Sequence, residues 1–254
     1  MAKDKKEFLG LTKVLQKIAH KYSFSSVYDD FLKMAICALS LGRMEKEYLQ
    51  IAGKYSKDEL VLFGHALAEM VQEYEQHNLP SGEWRDILGN VFEETNSSFS
   101  ASGSGQFFTP DSLCNMMAQF TAGTGPCDDG IIVNDCASGS GRNLIAHSRL
   151  HPLNRYRAFY IAQDLDERCV NMSVINFLMF GMKGVVIHMN TISMKIYGGY
   201  RIWLADTFMG IQPISVNECY EYLTTKSEPE IEPEKPEETP KILNVTNVKQ
   251  LSIF

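Results

Sequence analysis

The sequence predicts an α/β fold, in which a parallel sheet flanked by helices follows an all-helical N-terminal domain. Two periodicities support this prediction. Over residues 4–95, apolar side chains recur at the spacing of one face of an amphipathic helix. From residue 130 onward, short runs of branched apolar residues alternate with helical stretches, as in βαβ units. A chain of 254 residues has room for one medium domain and a smaller one.

The N-terminal domain, residues 1–95, is predicted from the apolar faces of successive helices. Ser56 and Glu59 form a capping-box pattern, which predicts the start of the third of the strong helices. We interpret the apolar faces as core packing. They comprise Phe8, Leu11, Leu15 and Ile18, then Val27, Phe31, Met34 and Ala38, then Leu60, Phe63, Leu67, Met70 and Tyr74, and finally Trp84, Ile87, Leu88, Val91 and Phe92.

A connection rich in serine and glycine, residues 96–105, leads into an α/β domain that we predict over residues 106–225. Thr109 is expected to be the N-cap of a helix with Pro110 at its first position. A pair of glycines, Gly198 and Gly199, predicts a turn. The predicted strands are 130–134, 159–163, 185–189 and 201–205, and the helices between them are 141–150 and 166–181.

The C-terminal part contains two segments of contrasting composition. Residues 226–241 hold six Glu, three Lys and four Pro, so that they cannot bury a core and are expected to form an extended linker. Residues 242–254 are apolar again. The linker contributes −3 to the formal net charge of −7, and the rest of the chain carries −4. We therefore expect DNA binding to need a local basic patch or a partner subunit.

Composition argues against several other classes of protein. No apolar run is long enough for a membrane span, so we expect no membrane association. The six cysteines lack metal-binding spacing and are interpreted as reduced packing residues of a cytoplasmic protein. His147 and His151 lie four positions apart on a predicted helix, but the sequence offers no third ligand, and we predict no metal site.

The most informative segment is the turn Asn134–Arg142, which reads NDCASGSGR. It joins a branched apolar run at 131–133 to a predicted helix. Its glycines let the backbone approach a ligand closely, and the helix start offers free N–H groups. Asp135 would repel a pyrophosphate but suits a ligand that carries an ammonium group, such as S-adenosylmethionine. The alternative interpretation is an ordinary strand–helix turn.

Polar side chains follow several of the predicted strands. Asp135, Asp164 and either Asn190 or Asp206 lie at strand ends. Because parallel strands present their carboxyl ends at one edge of the sheet, these residues are expected to converge on one crevice.

Three motifs occur in a familiar order and spacing. They are GQFFTP at 105–110, DCASGSG at 135–141 and FYIAQDLD at 159–166. Together they resemble the N6-adenine DNA methyltransferases, of the kind that serve as modification (M) subunits of type I restriction-modification systems. The resemblance extends over residues 84–208. It implies a Rossmann-like sheet that binds S-adenosylmethionine, here shortened because the later strands of the family have no room before residue 226.

The resemblance also implies roles for individual residues. Asp135 and the glycine-loop backbone would hold the methionine part of the cofactor, and Asp164 would accept hydrogen bonds from the ribose hydroxyls. Alternatively, Asp164 caps the next helix, for which Asp166 is better placed. Asn190 stands where the family has an acid that contacts the cofactor adenine. The full set of expected cofactor-binding residues is Phe107, Phe108, Thr109, Pro110, Asp135, Ala137, Gly139, Gly141, Asp164 and Asn190.

Besides Asn190, the sequence departs from the family at several positions. In the glycine loop Cys136 stands where proline is usual and Ser138 where cysteine is usual, and both are small enough to leave room for the cofactor. Arg142 replaces a glycine at the helix start, where a cation opposes the helix dipole. The family motif N-P-P-Y/F is absent, and the fourth predicted strand is followed by DTFM at 206–209. Asp206 would supply one acceptor for the target amino group and Phe208 one stacking face, without the rigid Pro-Pro backbone. In another alignment Asp206 is the adenine-contacting acid and the fourth motif is missing altogether.

These departures leave several functions open. The first is an adenine-N6 DNA methyltransferase that is weak or inactive by itself. The second is a non-catalytic, DNA-associated regulatory or binding subunit that keeps the methyltransferase fold. A third is a methyltransferase acting on RNA or protein. The expected partners are DNA and a further subunit, and the expected location is the cytoplasm of a bacterium, with a restriction locus or mobile element as the source.

The C-terminal pentapeptide 250–254 resembles the Q-L-x-L-F peptide by which bacterial DNA-processing proteins bind the polymerase sliding clamp. Leu251 and Phe254 would fill apolar pockets, Gln250 would hydrogen-bond at the rim, and Ile253 replaces the usual leucine. Alternatively, residues 242–248 and the end of the chain fold back as a strand on the shortened sheet.

Overall fold

A computed structural model describes residues 10–78, 84–99, 108–123, 125–204 and 209–224. In the N-terminal half the helices are α1 (Gly10–Ile18), α2 (Phe24–Leu39), α3 (Glu45–Ala52), α4 (Lys57–His77), α5 (Ile87–Phe99) and α6 (Asp111–Ala122). The remaining elements are β1 (Ile132–Asp135), α7 (Arg142–Leu150), α8 (Asn154–Arg157), β2 (Phe159–Asp164), α9 (Glu167–Met179), β3 (Gly184–Asn190), β4 (Lys195–Leu204), β5 (Met209–Ile214) and α10 (Val216–Thr224). The predicted combination of a helical N-terminal region and an α/β sheet is confirmed.

The helical region forms where the apolar periodicity predicts it. Ser56 accepts a hydrogen bond from the backbone N–H of Glu59, and the Glu59 carboxylate accepts one from the Ser56 N–H at 2.8 Å, which completes the predicted capping box of α4. Of the predicted core residues within the described ranges, Ala38 is exposed at the end of α2, and Phe8 lies outside those ranges. Buried side chains of α1–α5 and of α7 and α9 belong to one continuous cluster. The division of the chain at residue 95 stays a prediction.

The five strands of the sheet lie in the order in which they follow one another in the chain. β1, β2 and β3 are parallel, whereas β4 and β5 are antiparallel to their neighbours. The expectation that the fourth strand continues the parallel sheet is therefore wrong. The reason is the connection 191–194, which is far too short for the crossover of a dozen or more residues that a parallel partner requires.

The predicted turn at Gly198 and Gly199 is also wrong, because both residues lie inside β4. Gly199 pairs with Ile187 of β3 and Ile214 of β5. A Cβ atom at Gly199 would lie 2.8 Å from the carbonyl oxygen of Val186, so the glycine allows close approach of the two strands. β4 begins six residues earlier than predicted, and β5 was not predicted.

Several predicted features lie outside the described residues. They are the serine- and glycine-rich connection beyond residue 99, the linker 226–241 and the apolar segment 242–254 with its clamp-like peptide. Within the described ranges, no helix combines the length and apolar character that crossing a membrane would require.

Candidate functional site

The ends of the parallel strands bring two of the predicted acids to the same edge of the sheet. Asp135 ends β1 and is in register with Ala162 of β2, whose last residue is Asp164. Asn190 ends β3, two residues beyond the His188 that pairs with Asp164. The loop from Cys136 to Gly141 crosses this edge and leads into α7.

The glycines of this loop adopt backbone conformations that other residues avoid. Gly139 has φ +55° and Gly141 has φ +91°, both in the left-handed region. Gly141 is the N-cap of α7, and its N–H donates to the carbonyl of Ser138 at 2.8 Å. A Cβ atom at Gly139 would lie 2.9 Å from the Phe108 ring. Glycine is therefore required at Gly139 both for the turn and for the contact with Phe108.

Asp164 is bonded directly to the glycine loop. Its Oδ2 accepts a hydrogen bond from the Gly139 N–H at 2.8 Å, and its Oδ1 accepts one from the Asp166 N–H at 2.9 Å. Each carboxylate oxygen can accept a further hydrogen bond. Burial raises the pKa of Asp164 above its ordinary range, against the opposing effect of these N–H donors. The N-cap of α9 is Asp166, which accepts from the Arg168 N–H at 2.8 Å.

Asp135 stabilises the loop from its other end. Its Oδ1 accepts a hydrogen bond from the Ala137 N–H, and its Oδ2 accepts one from the Asn143 side-chain amide, both at 3.1 Å. The neighbouring Ser138 N–H donates to the carbonyl of Gln163 at 2.9 Å. These bonds fix the loop between β1, β2 and α7.

A cavity of about 230 Å³ lies over the glycine loop. It is lined by Phe108, Thr109, Ala137, Ser138, Gly139, Ser140, Arg142, Asn143, Asp164 and Cys169. The structure thus brings together five residues of the expected cofactor set: Phe108, Thr109, Ala137, Gly139 and Asp164. Pro110, Asp135, Gly141 and Asn190 are not among the lining residues. Phe107, Asp206 and Phe208 lie outside the described residues.

Two of the expected residues have other structural roles. The N-cap of α6 is Pro110 rather than Thr109, and it makes no side-chain capping bond. The expectation for Thr109 is therefore wrong by one residue, although Thr109 does line the cavity. The side-chain oxygen of Asn190 accepts hydrogen bonds from the N–H groups of Ile192 and Ser193, at 3.1 and 3.0 Å, and so stabilises the turn into β4.

Arg142 anchors the site to the helical region, a role that sequence reasoning missed. Its Nε lies 2.8 Å from Asp86 Oδ2, and its Nη2 lies 3.0 Å from Glu93 Oε2. Burial opposes the charge on Arg142, but the attraction of Asp86 and the hydrogen bonds to Asp86 and Glu93 outweigh it and raise the pKa of the guanidinium. The repulsion expected between Arg142 and the positive end of the α7 dipole is therefore offset by the two carboxylates beside the guanidinium.

Asp86 is the centre of this polar cluster. It caps α5 by accepting a hydrogen bond from the Gly89 N–H at 2.9 Å, and it accepts others from Ser140 Oγ and from the Asn176 amide. The Asp86 side chain is completely buried. In the sequence, this role is indicated only by an arginine that directly follows the glycine loop. Its position does not predict that Asp86, 56 residues earlier, is its partner.

Comparisons with known proteins give matches over the region that contains this site. Residues 83–200, rather less than half of the chain, match the family model described as N-6 DNA methylase. Among solved structures, the chain is similar to the methyltransferase subunit of a type I restriction-modification system from Streptococcus thermophilus. That similarity has 19% sequence identity and a TM-score of 0.35, and it covers 68% of this chain and 37% of the subunit. A search of curated proteins found no match.

The matched region contains the glycine loop, the strand-end acids and the cavity between them. This part of the chain is therefore methyltransferase-like. More particularly, residues 83–200 are similar to the N-6 DNA methylases.

Proposed function

We propose that this chain binds S-adenosylmethionine in the cavity over the glycine loop. The observation that carries the proposal is the hydrogen bond between the Gly139 N–H and Asp164, which places a carboxylate with remaining acceptor capacity in the cavity, beside the glycine on which the Phe108 ring packs. Bidentate hydrogen bonding of ribose hydroxyls suits such a carboxylate. The cavity, at about 230 Å³, is smaller than the ligand sites typical of proteins. It would enclose part of the cofactor and leave the rest at the surface.

The residues have separate tasks in this proposal. Asp164 would bind the ribose, the ring of Phe108 would pack on the cofactor, and the loop backbone at Ala137 and Gly139 would lie along it. Asp135 and Arg142 would act indirectly, because their bonds hold the loop in place. When bound, the cofactor would supply a transferable methyl group.

The test is a calorimetric titration of the purified chain with S-adenosylmethionine. Asp164→Ala should weaken binding by about 10- to 100-fold, since it removes a charge-assisted hydrogen bond. Asp129→Ala provides a matched control, because Asp129 is an exposed acid that does not line the cavity. Absence of binding to the wild type, or equal binding to Asp164→Ala, would contradict the proposal.

We further propose that the chain acts on DNA together with a partner subunit, as a weak or non-catalytic methyltransferase. Two facts support this. The sequence contains no N-P-P-Y/F motif, and the chain outside the linker carries a net charge of −4, which does not favour DNA binding by itself. A DNA-binding partner would supply the missing positive surface. Measuring DNA affinity of the chain with and without candidate specificity subunits would test the proposal.

The C-terminal peptide supports a separate proposal from sequence alone, namely binding to a bacterial sliding clamp. The relevant residues are Gln250, Leu251, Ile253 and Phe254. A peptide of residues 246–254 should bind a clamp, and the change of Leu251 and Phe254 to Ala should abolish that binding. Equal binding by the two peptides would refute the proposal.

A further inference from the structure

Three arginines lie together at the amino ends of the parallel strands, on the edge of the sheet opposite the glycine loop. Arg149 lies in the last turn of α7, and Arg155 and Arg157 belong to α8, which ends two residues before β2 begins. Burial and the nearby charge of Arg155 lower the pKa of the Arg149 guanidinium, so these like charges lie close to each other. We call the three residues the arginine face.

The arginine face carries positive charge without a directly paired acid. Within the described ranges, neither Arg155 nor Arg157 forms an ion pair with a carboxylate. Arg157 Nη1 donates instead to the backbone carbonyl of Cys127, at 3.1 Å. Asp128 and Asp129, which follow Cys127, are both exposed, and they pair with neither arginine. The surface can therefore accept an anionic partner.

The side chains of this face are held in place before any partner binds. The Arg155 guanidinium lies 4.6 Å from the centroid of the Tyr156 ring, in a cation–π contact. The hydrogen bond to Cys127 restrains Arg157 in the same way, and both arginines are half-buried. Because these side chains have already lost much of their freedom, binding a carboxylate costs them little further conformational entropy.

The chain enters the glutamate-rich linker 226–241 beside the arginine face. α10 ends at Thr224, and the Tyr222 ring near its end stacks on the Phe159 ring, with centroids 5.7 Å apart and planes 12° from parallel. Phe159 comes two residues after Arg157 in the chain. The four residues that lead from Thr224 to Glu228 can span at most about 14 Å. The first glutamate of the linker is thus tethered close to the arginine face.

Residues 228–234 of the linker form an acidic segment with the sequence EPEIEPE. It has a glutamate at every second position and no cation. A residue that precedes proline favours extended backbone, and in an extended, β-like chain alternate side chains point to the same side. An extended segment would therefore present a row of carboxylates to one surface. The four are Glu228, Glu230, Glu232 and Glu234.

We propose that the acidic segment binds the arginine face of the same chain. Guanidinium and carboxylate groups match in charge and geometry and form charge-assisted hydrogen bonds. The short tether makes the contact intramolecular, so that several weak ion pairs suffice. The bound segment would cover these arginines and keep other polyanions, such as DNA, from them. This proposal depends on neither cofactor binding nor methyl transfer.

The first test is cleavage of the linker in the full chain by a glutamate-specific protease. At about 10 mM salt, Arg155→Gln/Arg157→Gln should be cut in the linker about 10-fold faster than the wild type, since it loses several ion pairs that act together. At about 1 M salt, which screens exposed charges, the two rates should be equal. Lys46→Gln/Lys57→Gln is the matched control. It removes two exposed cations of α3 and α4 and should be cut as the wild type is.

Binding of labelled duplex DNA gives a second measurement that does not involve the protease. Changing the four glutamates of the acidic segment to Gln should raise DNA affinity about 10-fold at low salt, because the arginines become accessible to phosphate. Adding Arg155→Gln/Arg157→Gln should remove that gain. The matched control neutralises four exposed carboxylates of the helical region and should raise affinity much less, although it changes the net charge equally. These are Glu45, Glu47, Asp58 and Glu75.

Equal cleavage of the wild type and the arginine double variant at low salt would overturn the proposal. A gain in DNA affinity that persists without the two arginines, or that the control matches, would overturn it too, because net charge alone would then explain the gain. A thermal melt checks that each variant is folded. If the double variant is unfolded, the single variants Arg155→Gln and Arg157→Gln take its place in both measurements.

Discussion

Arg142 and Asp86 join the glycine loop to the helical region through charges that are almost entirely shielded from water. The side chain of Arg142 is 6% exposed and that of Asp86 is fully buried. Removing one partner of such a pair leaves an uncompensated buried charge, which typically costs about 3–5 kcal/mol.

We therefore expect Arg142→Ala to lower the free energy of unfolding by about 3–5 kcal/mol in a urea titration. Lys33→Ala serves as the comparison, because Lys33 and Glu167 form an exposed pair at 3.0 Å that should contribute less than about 1 kcal/mol. Similar losses in the two variants would show that the buried cluster is not a main support of the fold.

Asp164 predicts how the proposed cofactor binding depends on pH. Burial raises its pKa above the ordinary value of 3.8, so this carboxylate takes up a proton at higher pH than a free aspartate does. Protonation removes the charge that would accept the ribose hydrogen bonds, and affinity for S-adenosylmethionine should fall as the pH is lowered. The contribution of Asp164 to the free energy of unfolding has the opposite pH dependence. It increases as the pH is lowered, because the folded chain binds this proton more tightly than the unfolded chain does.

Titrations from neutral pH down towards the ordinary aspartate value of 3.8 measure the effect on binding. In Asp164→Asn, the residual affinity should change less over the same range than that of the wild type. A parallel decline in the two proteins would assign the pH dependence to another group.

At the scale of single elements, two glycines differ in whether the structure has room for a side chain. Gly64 is exposed in the middle of α4, and a Cβ atom there would meet nothing within 4 Å. Gly199 lies in β4, where a Cβ atom would meet Val186 O at 2.8 Å and Cys219 Sγ at 3.0 Å.

Gly64→Ala should stabilise the protein by about 0.5–1 kcal/mol, since alanine loses less backbone entropy in a helix. Gly199→Ala should destabilise it by about 1–3 kcal/mol, because the strands must move apart. Urea unfolding of the two variants measures both changes. A Gly199→Ala protein as stable as the wild type would mean that the β3–β4 contact can relax.

On the scale of the whole molecule, the glycine loop begins at the edge of the sheet. Among the described strands β1 pairs only with β2, so the proposed cofactor site has sheet on one side only. The sequence at 206–209 reads DTFM, where the resemblance places the catalytic N-P-P-Y/F motif, and this departure predicts weak catalysis.

We expect the purified chain to transfer little or no labelled methyl group from S-adenosylmethionine to adenine in duplex DNA. Loss of one preorganised acceptor alone typically lowers a rate by about 10²–10³. Asp164→Ala provides the blank. Robust incorporation by the wild type above that blank would instead establish an active enzyme.

The sequence by itself determined the features that depend on neighbouring residues. The helical faces, the Ser56 capping box, the Asp166 cap and the glycine loop all follow from local spacing, and the structure contains each of them. The two strand-end acids, Asp135 and Asp164, could be placed at one edge because parallel strands leave no other arrangement.

Only the tertiary structure decided the features that join distant parts of the chain. Periodicity marks a strand but not its direction, so the antiparallel β4 and its internal glycines were misjudged. Asp86, the buried partner of Arg142, lies 56 residues away along the chain. Such contacts depend on how helices and strands pack together, and packing leaves no periodic signal within a single element.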